Sequence, residues 1–537
     1  MNLFIFLVTY FLLLFSIIGY GYILNANVLK LKNLNFGYLG FFGIFVLLFI
    51  SYVSHIFFAH DKLFNSIILI IGIVSFINLL LNIDKENKKK LLFQIGLFII
   101  LIFFVLSAKT HDDFEYYHFA YIHLLTTEPT IYGIGNFNHG FRTPSSIFYL
   151  SSLFYLPKVG YDLIHIAPVF FLGFANFILI EKINFLRKVK KNHFIILLSL
   201  ISLIIINIFF YRMAEHGTDR SAQIIIFLII IELLYFLNTK NIENSFLEKL
   251  FILIVLCISL KSLYVIYLLL FLPILFYQTE KISYLVNLTM NKVFIFSIFF
   301  VFLIFGFSVI NTGCAIYPLN LSCFSDLPWS LSEHHVIKAN NHYELWAKGG
   351  MSPNFKVENP LDHIRYFNWV PNWLDIYFFN KVSDYLYSLL FIVALFLLVF
   401  KGKYQPNIKK RKYKFIYIIL LIFFSEWFYN HPSLRYGGYS LIALIIFIPF
   451  CVFLENNINL RFFSKKITIL LILIFTIFIA RNLQRIDKEY NVYQYNVIKN
   501  PSYDKKFENY GMYDSVMKSK NMNTKKFLNR EFLYYQK

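Results

Sequence analysis

Runs of about twenty apolar residues recur along this chain from its first residues to beyond position 470, and that recurrence decides its fold class. An α-helix crosses the ~30 Å hydrocarbon core of a bilayer in about twenty residues. Inside lipid every backbone N–H and C=O needs a partner within the protein, so long apolar runs become helices. Candidate spans are 3–23, 37–58, 64–82, 91–107, 162–181, 194–211, 221–238, 293–311, 384–400, 415–428, 437–455 and 467–480. Segment 250–277 is too long for one upright span and is interrupted by Lys261. It reads as two short helices in a hairpin with Lys261 near the turn, a single tilted helix being the alternative. Segment 145–157, SSIFYLSSLFYLP, is too short to cross and reads as a re-entrant or interfacial half-helix ended by Pro157.

The expectation is an all-α polytopic bundle of about 12–14 spans. The bundle covers 1–480, with an acidic outer loop and interfacial helices in 108–157 and a larger outer loop at 312–383. An extramembrane tail follows at 481–537. Composition agrees: 58% of the 537 residues are hydrophobic and 15% charged, against roughly 25% charged in soluble domains. A water-soluble, disordered, collagen-like or disulfide-dense secreted protein is excluded. No internal repeat stands out.

The formal net charge of +20 is read by position, because loop Lys and Arg set membrane orientation. The basic connections 84–90, 187–191 and 401–414, and the weaker 278–292 and 461–466, all fall on one side under this span count. That side is expected to be cytoplasmic, with both termini outside. The N-terminal MNLFIFLVTYFLLLFSIIGYGYIL lacks a basic n-region and a small-residue cleavage site and reads as a retained span.

The opposite side collects the ionisable residues. In SAKTHDDFEYYHFAYIHLL, His111, Asp112, Asp113, Glu115 and His118 crowd into eight residues. Adjacent carboxylates repel, and such a cluster persists with a cation, basic partners or a shared proton. On helical geometry Phe114, Tyr117, Tyr121 and Leu124 form one stripe, and His111, Glu115 and His118 another. That suits an amphipathic helix in the outer interface with its carboxylates facing out of the lipid; a solvated loop beside an anchor is the plainer reading. Further along, Gly133, Gly135 and Gly140 permit close approach of a ligand. His139 and Arg142 supply donors there, and Arg142 suits bidentate binding of phosphate or carboxylate.

The short connection YRMAEHGTDRSAQ carries Glu215, His216, Asp219 and Arg220. It reads as binding groups, or as a local pair in which Thr218 or Asp219 caps the next helix. Intramembrane charge such as Lys261 defaults to function, with snorkelling to the headgroups as the alternative. His431 and Arg435 precede a span in YNHPSLRYGGYS, where Gly437 and Gly438 permit close packing. The five Trp (329, 346, 369, 373, 427) lie in outer segments or at an outer helix end. They suit the interfacial aromatic belt, or stacking on a sugar ring, and DHIRYFNWVPNWLDIYFF reads as an interfacial helix. Of the four Cys, Cys257 and Cys451 sit in apolar runs as inert thiols. Cys314 and Cys323 share the outer loop, where an oxidising compartment permits a disulfide; free thiols are the alternative, and zinc lacks a second pair.

No GxGxxG or GxxxxGK[ST] occurs, so cytoplasmic nucleotide chemistry and a nucleic-acid partner lack support. Outside the membrane the available donor is lipid-linked, such as a polyprenyl-phosphate sugar. Transfer to a hydroxyl needs a carboxylate base, cations for the phosphate leaving group, and a groove open to lipid. The acidic pair Asp112–Asp113, the helix DFEYYHFAYIHLL and the half-helix SSIFYLSSLFYLP resemble the GT-C class of membrane glycosyltransferases, although four spans precede the acidic loop here and one in the class. The segments HDDFEYYH, NFNHGFRTPSS, EHGTDRSAQ, GCAIYPLNLSCF and HPSLRYGGY are similar to those of an uncharacterised family of bacterial multi-pass inner-membrane proteins over residues 90–450. The GT-C resemblance implies that Asp112 or Asp113 is the general base or holds a divalent cation, supported by Glu115 and His118. It implies phosphate binding by Arg142, Arg220, Lys261 and Arg435. His111, His139, Glu215, His216, Asp219 and His431 complete the expected substrate site, and the acceptor is an envelope glycan or lipid. The alternatives are a polysaccharide polymerase or ligase, and a transporter or flippase of lipid-linked intermediates.

Overall fold

A computed structural model describes residues 2–31, 35–107, 113–211, 213, 217–239, 246–277, 289–352, 354–403, 412–499, 501, 522–527 and 530–535. Among these, ten helices are long and apolar enough to cross a membrane. Between them lie four shorter ones, His193–Ile208, Phe246–Leu260, the limb Ser262–Phe276, and Lys414–Asn430. The protein is an all-α multi-pass membrane protein. Strands among the described residues are confined to the pairs Met351–Ser352 with Phe355–Lys356 and Met522–Phe527 with Arg530–Tyr535.

Helix starts carry side-chain caps: Asp61 accepts from the Phe64 N–H at 2.8 Å and Asp84 from the Asn87 N–H at 2.7 Å, satisfying orphan donors of the first turn. Leu3–Leu24, Phe36–His55 and Lys62–Asn82 cross closely at small residues. A Cβ on Gly19 would stand 1.9 Å from the Gly72 carbonyl oxygen, so glycine alone allows that approach. Ala167–Val189 forms the centre, with Phe36–His55, Lys85–Leu106, His193–Ile208 and Thr218–Thr239 around it. The outer helices expose large apolar side chains, among them Val74, Phe302, Phe391 and Ile472. Contiguous exposure of that kind is expected of a surface solvated by lipid.

The basic connections meet at one end of the bundle. Lys90 pairs with Glu181 at 3.7 Å, Arg187 donates to Thr468 at 2.8 Å, and the Lys412 N–H donates to Asn238 at 2.9 Å. The segments expected to carry function lie at the other end.

The hairpin at 250–277 is present. Phe246–Leu260 runs up to Lys261, and the chain returns as a 3₁₀ helix, Ser262–Phe271, followed by Leu272–Tyr277. The Phe251 and Phe271 rings, ten residues either side of the turn, lie 4.8 Å apart. A 3₁₀ helix rises about 2.0 Å per residue against 1.5 Å for an α-helix, so this short limb reaches roughly 29 Å, close to the hydrocarbon thickness.

Four expectations are amended. The half-helix forms as Ser146–Ser152, and the burial of every residue in protein narrows the expectation to its re-entrant alternative. In the segment Phe114–Thr127, residues of each stripe, Phe114 and Tyr121 of one and His118 of the other, are buried. The segment is more enclosed than a helix lying on lipid, because the half-helix and the 139–141 turn pack over it. The stretch expected as a separate interfacial helix at 362–379 is continuous from Val370 with the following span, through to Phe400. Likewise Phe463–Tyr493 passes the expected boundary at 480, and Arg485 donates to the Tyr211 carbonyl at 2.6 Å.

Cys314 and Cys323 form a disulfide in the loop above the cavity described next. Closing a loop this short stabilises by about 2–3 kcal/mol. Replacing both Cys with Ser should lower the melting temperature in detergent without changing the helical circular-dichroism signal.

Candidate functional site

The expected site residues converge because helix ends and the loops between them meet at one end of the bundle. Lys261 has an extended backbone at the hairpin turn (φ −158°). Its Nζ lies 2.5 Å from Asp219 Oδ1 and 4.1 Å from the centre of the Tyr436 ring. Asp219 stands in the first turn of Thr218–Thr239, where the helix dipole favours a carboxylate. Its other oxygen lies 3.4 Å from Arg435 Nε. Asp219 thus holds two cations instead of serving as the simple cap that its position suggested. Arg435 also covers Tyr436, at 5.0 Å, so one carboxylate and one aromatic face gather both charges.

The Arg435 loop is fixed by tryptophans. Trp373 Nε1 donates to the Pro432 carbonyl at 2.8 Å and Trp427 Nε1 to the Ser433 carbonyl at 2.9 Å. The Leu434 N–H donates to the Tyr377 hydroxyl at 2.8 Å. Gly437 turns the chain at φ 109°, and Gly438 packs on Trp427, where a Cβ would lie 2.5 Å from the ring. Trp329 and Trp369 are likewise buried and donate to backbone carbonyls. Four of the five Trp are therefore internal struts, not belt residues or open stacking platforms; Trp346 is exposed.

A third contribution comes from the acidic segment. Asp113 precedes the one-turn π-helix Phe114–His118, and its carbonyl accepts from the Tyr117 and His118 N–H groups at 3.1 and 3.3 Å. The Tyr117 ring rests on Gly140, where a Cβ would lie 2.2 Å from it. Gly140 therefore makes room for a protein ring, not for a ligand. Arg142 Nε donates to the Gly135 carbonyl at 2.8 Å and Nη1 to the Tyr317 hydroxyl at 3.4 Å. The His139 ring lies 5.4 Å from Tyr343.

These groups line one cavity of about 660 Å³. Its polar wall carries Asp113, Tyr117, His139, Arg142, Asp219, Lys261, His431 and Arg435. The helix Glu333–Ala347 contributes Asn340, Tyr343 and Glu344. Glu344 pairs with the buried Lys348 at 2.8 Å. A second wall is apolar: Ile258, Leu263, Val265 and Ile266 of the hairpin, and Ile304 and Phe305 of Lys292–Thr312. The returning limb of the hairpin and Lys292–Thr312 both pack on Phe246–Leu260, Phe251 lying 4.8 Å from Phe271 and 5.0 Å from Phe294. Their far sides expose Leu268, Leu269, Phe299 and Phe302.

Asp113 acts electrostatically on both His139 and Arg435. Burial, with Arg142 and His342 nearby, pushes the His139 pKa down to about 4. Burial likewise lowers His431 to about 4, Lys261 and Lys348 adding to the effect. Burial raises the pKa of Tyr117 and of Tyr343, so both remain hydrogen-bond donors at neutral pH. With folded-state pKa values near 4 against an ordinary 6.5, the unfolded chain protonates first as pH falls. Both imidazoles thus withdraw stability between about pH 6.5 and pH 4, and neither does so above that window. The melting temperature in detergent should fall over that interval, and His431→Gln should flatten the fall.

Not every expected residue joins the cavity. Arg220 lies over the Tyr211 ring at 5.8 Å, beside Arg481 at 4.2 Å, because its position in the first helical turn points it to the bundle's flank. His118 is buried against Phe148, ring centres 5.3 Å apart. His111, Asp112, Glu215 and His216 lie outside the described residues, and so does the side chain of Glu115. Among the described residues no group of three or more His, Cys, Asp or Glu could hold a metal ion. Sequence reasoning missed Tyr117, Tyr317, Tyr343, Tyr436 and Glu426 as lining groups. In a chain with 38 Tyr, only the neighbourhood of Tyr436 to Arg435 offered a signal.

Fold and site together define a polytopic helical membrane protein with a charged, partly apolar cavity at one end of its bundle. The chain belongs to the family described as Domain of unknown function (DUF8201), which it matches over residues 1–442. No curated protein and no solved structure matches it at a significant level.

Proposed function

We propose that this protein is a glycosyltransferase of the bacterial cytoplasmic membrane. It moves a sugar from a polyprenyl-phosphate-linked donor to a glycan or lipid acceptor on the outer face. One observation carries the reading: a cavity that joins a carboxylate and a cation pair to an apolar wall backed by lipid-facing helices. The lipid tail runs along Ile258, Leu263, Val265, Ile266, Ile304 and Phe305, and the phosphate meets Lys261 and Arg435. Asp113 takes the proton of the acceptor hydroxyl. The new C1–O bond forms as the C1–O(phosphate) bond breaks, and the electron pair leaves with the lipid phosphate, so the anomeric centre inverts. The basic end of the bundle then faces the cytoplasm under the positive-inside rule. The resemblance to the GT-C class agrees with these roles.

The test is reconstitution. Purified protein in liposomes, given a radiolabelled polyprenyl-phosphate sugar and an envelope-glycan acceptor, should transfer label to the acceptor. Glycan profiles of a deletion strain separate the rivals: loss of one decoration supports transfer, and loss of chain length a polymerase. Ion-coupled uptake of label without transfer would establish a transporter instead.

A further inference from the structure

The cavity holds two cationic stations, and they are built differently. At the first, Lys261 and Arg435 share Asp219. The second is Arg142, which makes no ion pair among the described residues. Its Nε and Nη1 donate to the Gly135 carbonyl and the Tyr317 hydroxyl, which fix the plane of the guanidinium and leave Nη2 without an acceptor among the described residues. Tyr317 is itself buried in the loop closed by the Cys314–Cys323 disulfide, so the tether is rigid. Beside Arg142, His139 Nε2 is shielded from solvent with no hydrogen-bond partner among the described residues. Lys338, His335 and His342 add positive or neutral groups on the helix above. A guanidinium fixed on one edge and without an ion pair among the described residues, with an unsatisfied imidazole nitrogen alongside, is the arrangement that selects an oxyanion. It is expensive to maintain in a cavity unless a ligand completes it.

We infer that the acceptor is acidic, carrying a carboxylate or phosphate that docks on Arg142 and His139 while its hydroxyl faces Asp113. The inference rests on the transferase reading for the word acceptor, and its test does not need transfer to occur. The hairpin station stays with the lipid phosphate, because the apolar wall adjoins it. Asp113, whose charge acts on both His139 and Arg435, stands between the two anions.

Binding to the full-length protein in detergent micelles is measured by calorimetry with D-glucuronate, glucose 6-phosphate and D-glucose. At least one anionic sugar should bind ten-fold or more tightly than glucose, and the tighter of the two names the acidic group. Arg142→Gln should abolish the preference and Lys261→Gln should retain it. Should Arg142→Gln fail to fold, Tyr317→Phe loosens the same tether and should reduce the preference several-fold. Equal binding of all three sugars overturns the inference, as does a preference that survives in Arg142→Gln or disappears in Lys261→Gln. Anion binding without any transfer would leave this site standing and remove the enzyme; transfer to a neutral acceptor undiminished in Arg142→Gln would do the reverse.

Discussion

Asp219→Ala should destabilise the protein by about 2 kcal/mol, between the values for exposed and for buried ion pairs because the Arg435 side chain is 58% exposed, and eliminate transfer together with the stability. The carboxylate is largely buried and its two oxygens serve two different cations. Its loss leaves Lys261 and Arg435 beside the same Tyr436 ring without the carboxylate that they share. Each partner sits at a structural joint, Lys261 at the hairpin turn and Arg435 in the strutted loop, so repulsion there moves backbone as well as side chains. Asp219→Asn should behave much the same, which separates loss of charge from loss of volume. Adding Lys261→Gln to Asp219→Asn removes one excess cation and should recover more than half of the lost stability while transfer stays absent. A thermal melt in detergent and the liposome assay read the two effects separately. Recovery of both together would show that the cations only hold the fold.

The membrane bundle was legible because it depends on one robust quantity, the length of apolar runs. Even the hairpin at Lys261 was the favoured reading of that logic, since a 28-residue run with an internal charge is too long for one upright span, and the tilted single helix is the alternative that the structure removes. The 3₁₀ geometry of its second limb was not legible, because it answers to the span that fifteen residues must cover, not to their identity. Site residues were legible where charge stands out against an apolar background, as for Asp113, Arg142, Asp219, Lys261 and Arg435. They were illegible where the same residue type is common. Tyrosines that line the cavity look like tyrosines that fill the core, and Trp373 and Trp427 carry nothing in their spacing to say that their N–H groups hold the Arg435 loop. Arg220 shows the converse error. One residue from Asp219, it is turned about 100° around the helix and leaves the cavity for Tyr211. Proximity in sequence is a poor guide to a shared site when the helix begins at the residue in question.

Asp113→Asn should lower the rate of transfer about 10³-fold, within the range that removal of a positioned general base produces, while donor binding and melting temperature change little. The amide keeps the size and the hydrogen-bonding reach of the carboxylate but cannot take the acceptor proton at any pH. The Asp113 side chain makes no cap hydrogen bond to the turn that follows, and it is the Asp113 carbonyl that accepts from the Tyr117 and His118 N–H groups. The effect therefore falls on kcat, with KM for the donor set by Lys261, Arg435 and the apolar wall. Asp112 precedes it by one residue and is the competing candidate, so Asp112→Asn is the necessary companion. A thousand-fold loss in Asp113→Asn with a modest change in Asp112→Asn assigns the base to the residue that lines the cavity. The reverse pattern moves the role to Asp112 and leaves Asp113 to orient the acceptor. Full rates in both variants would sink proton transfer by this segment, and the two cationic stations would then describe a binding protein for two anions.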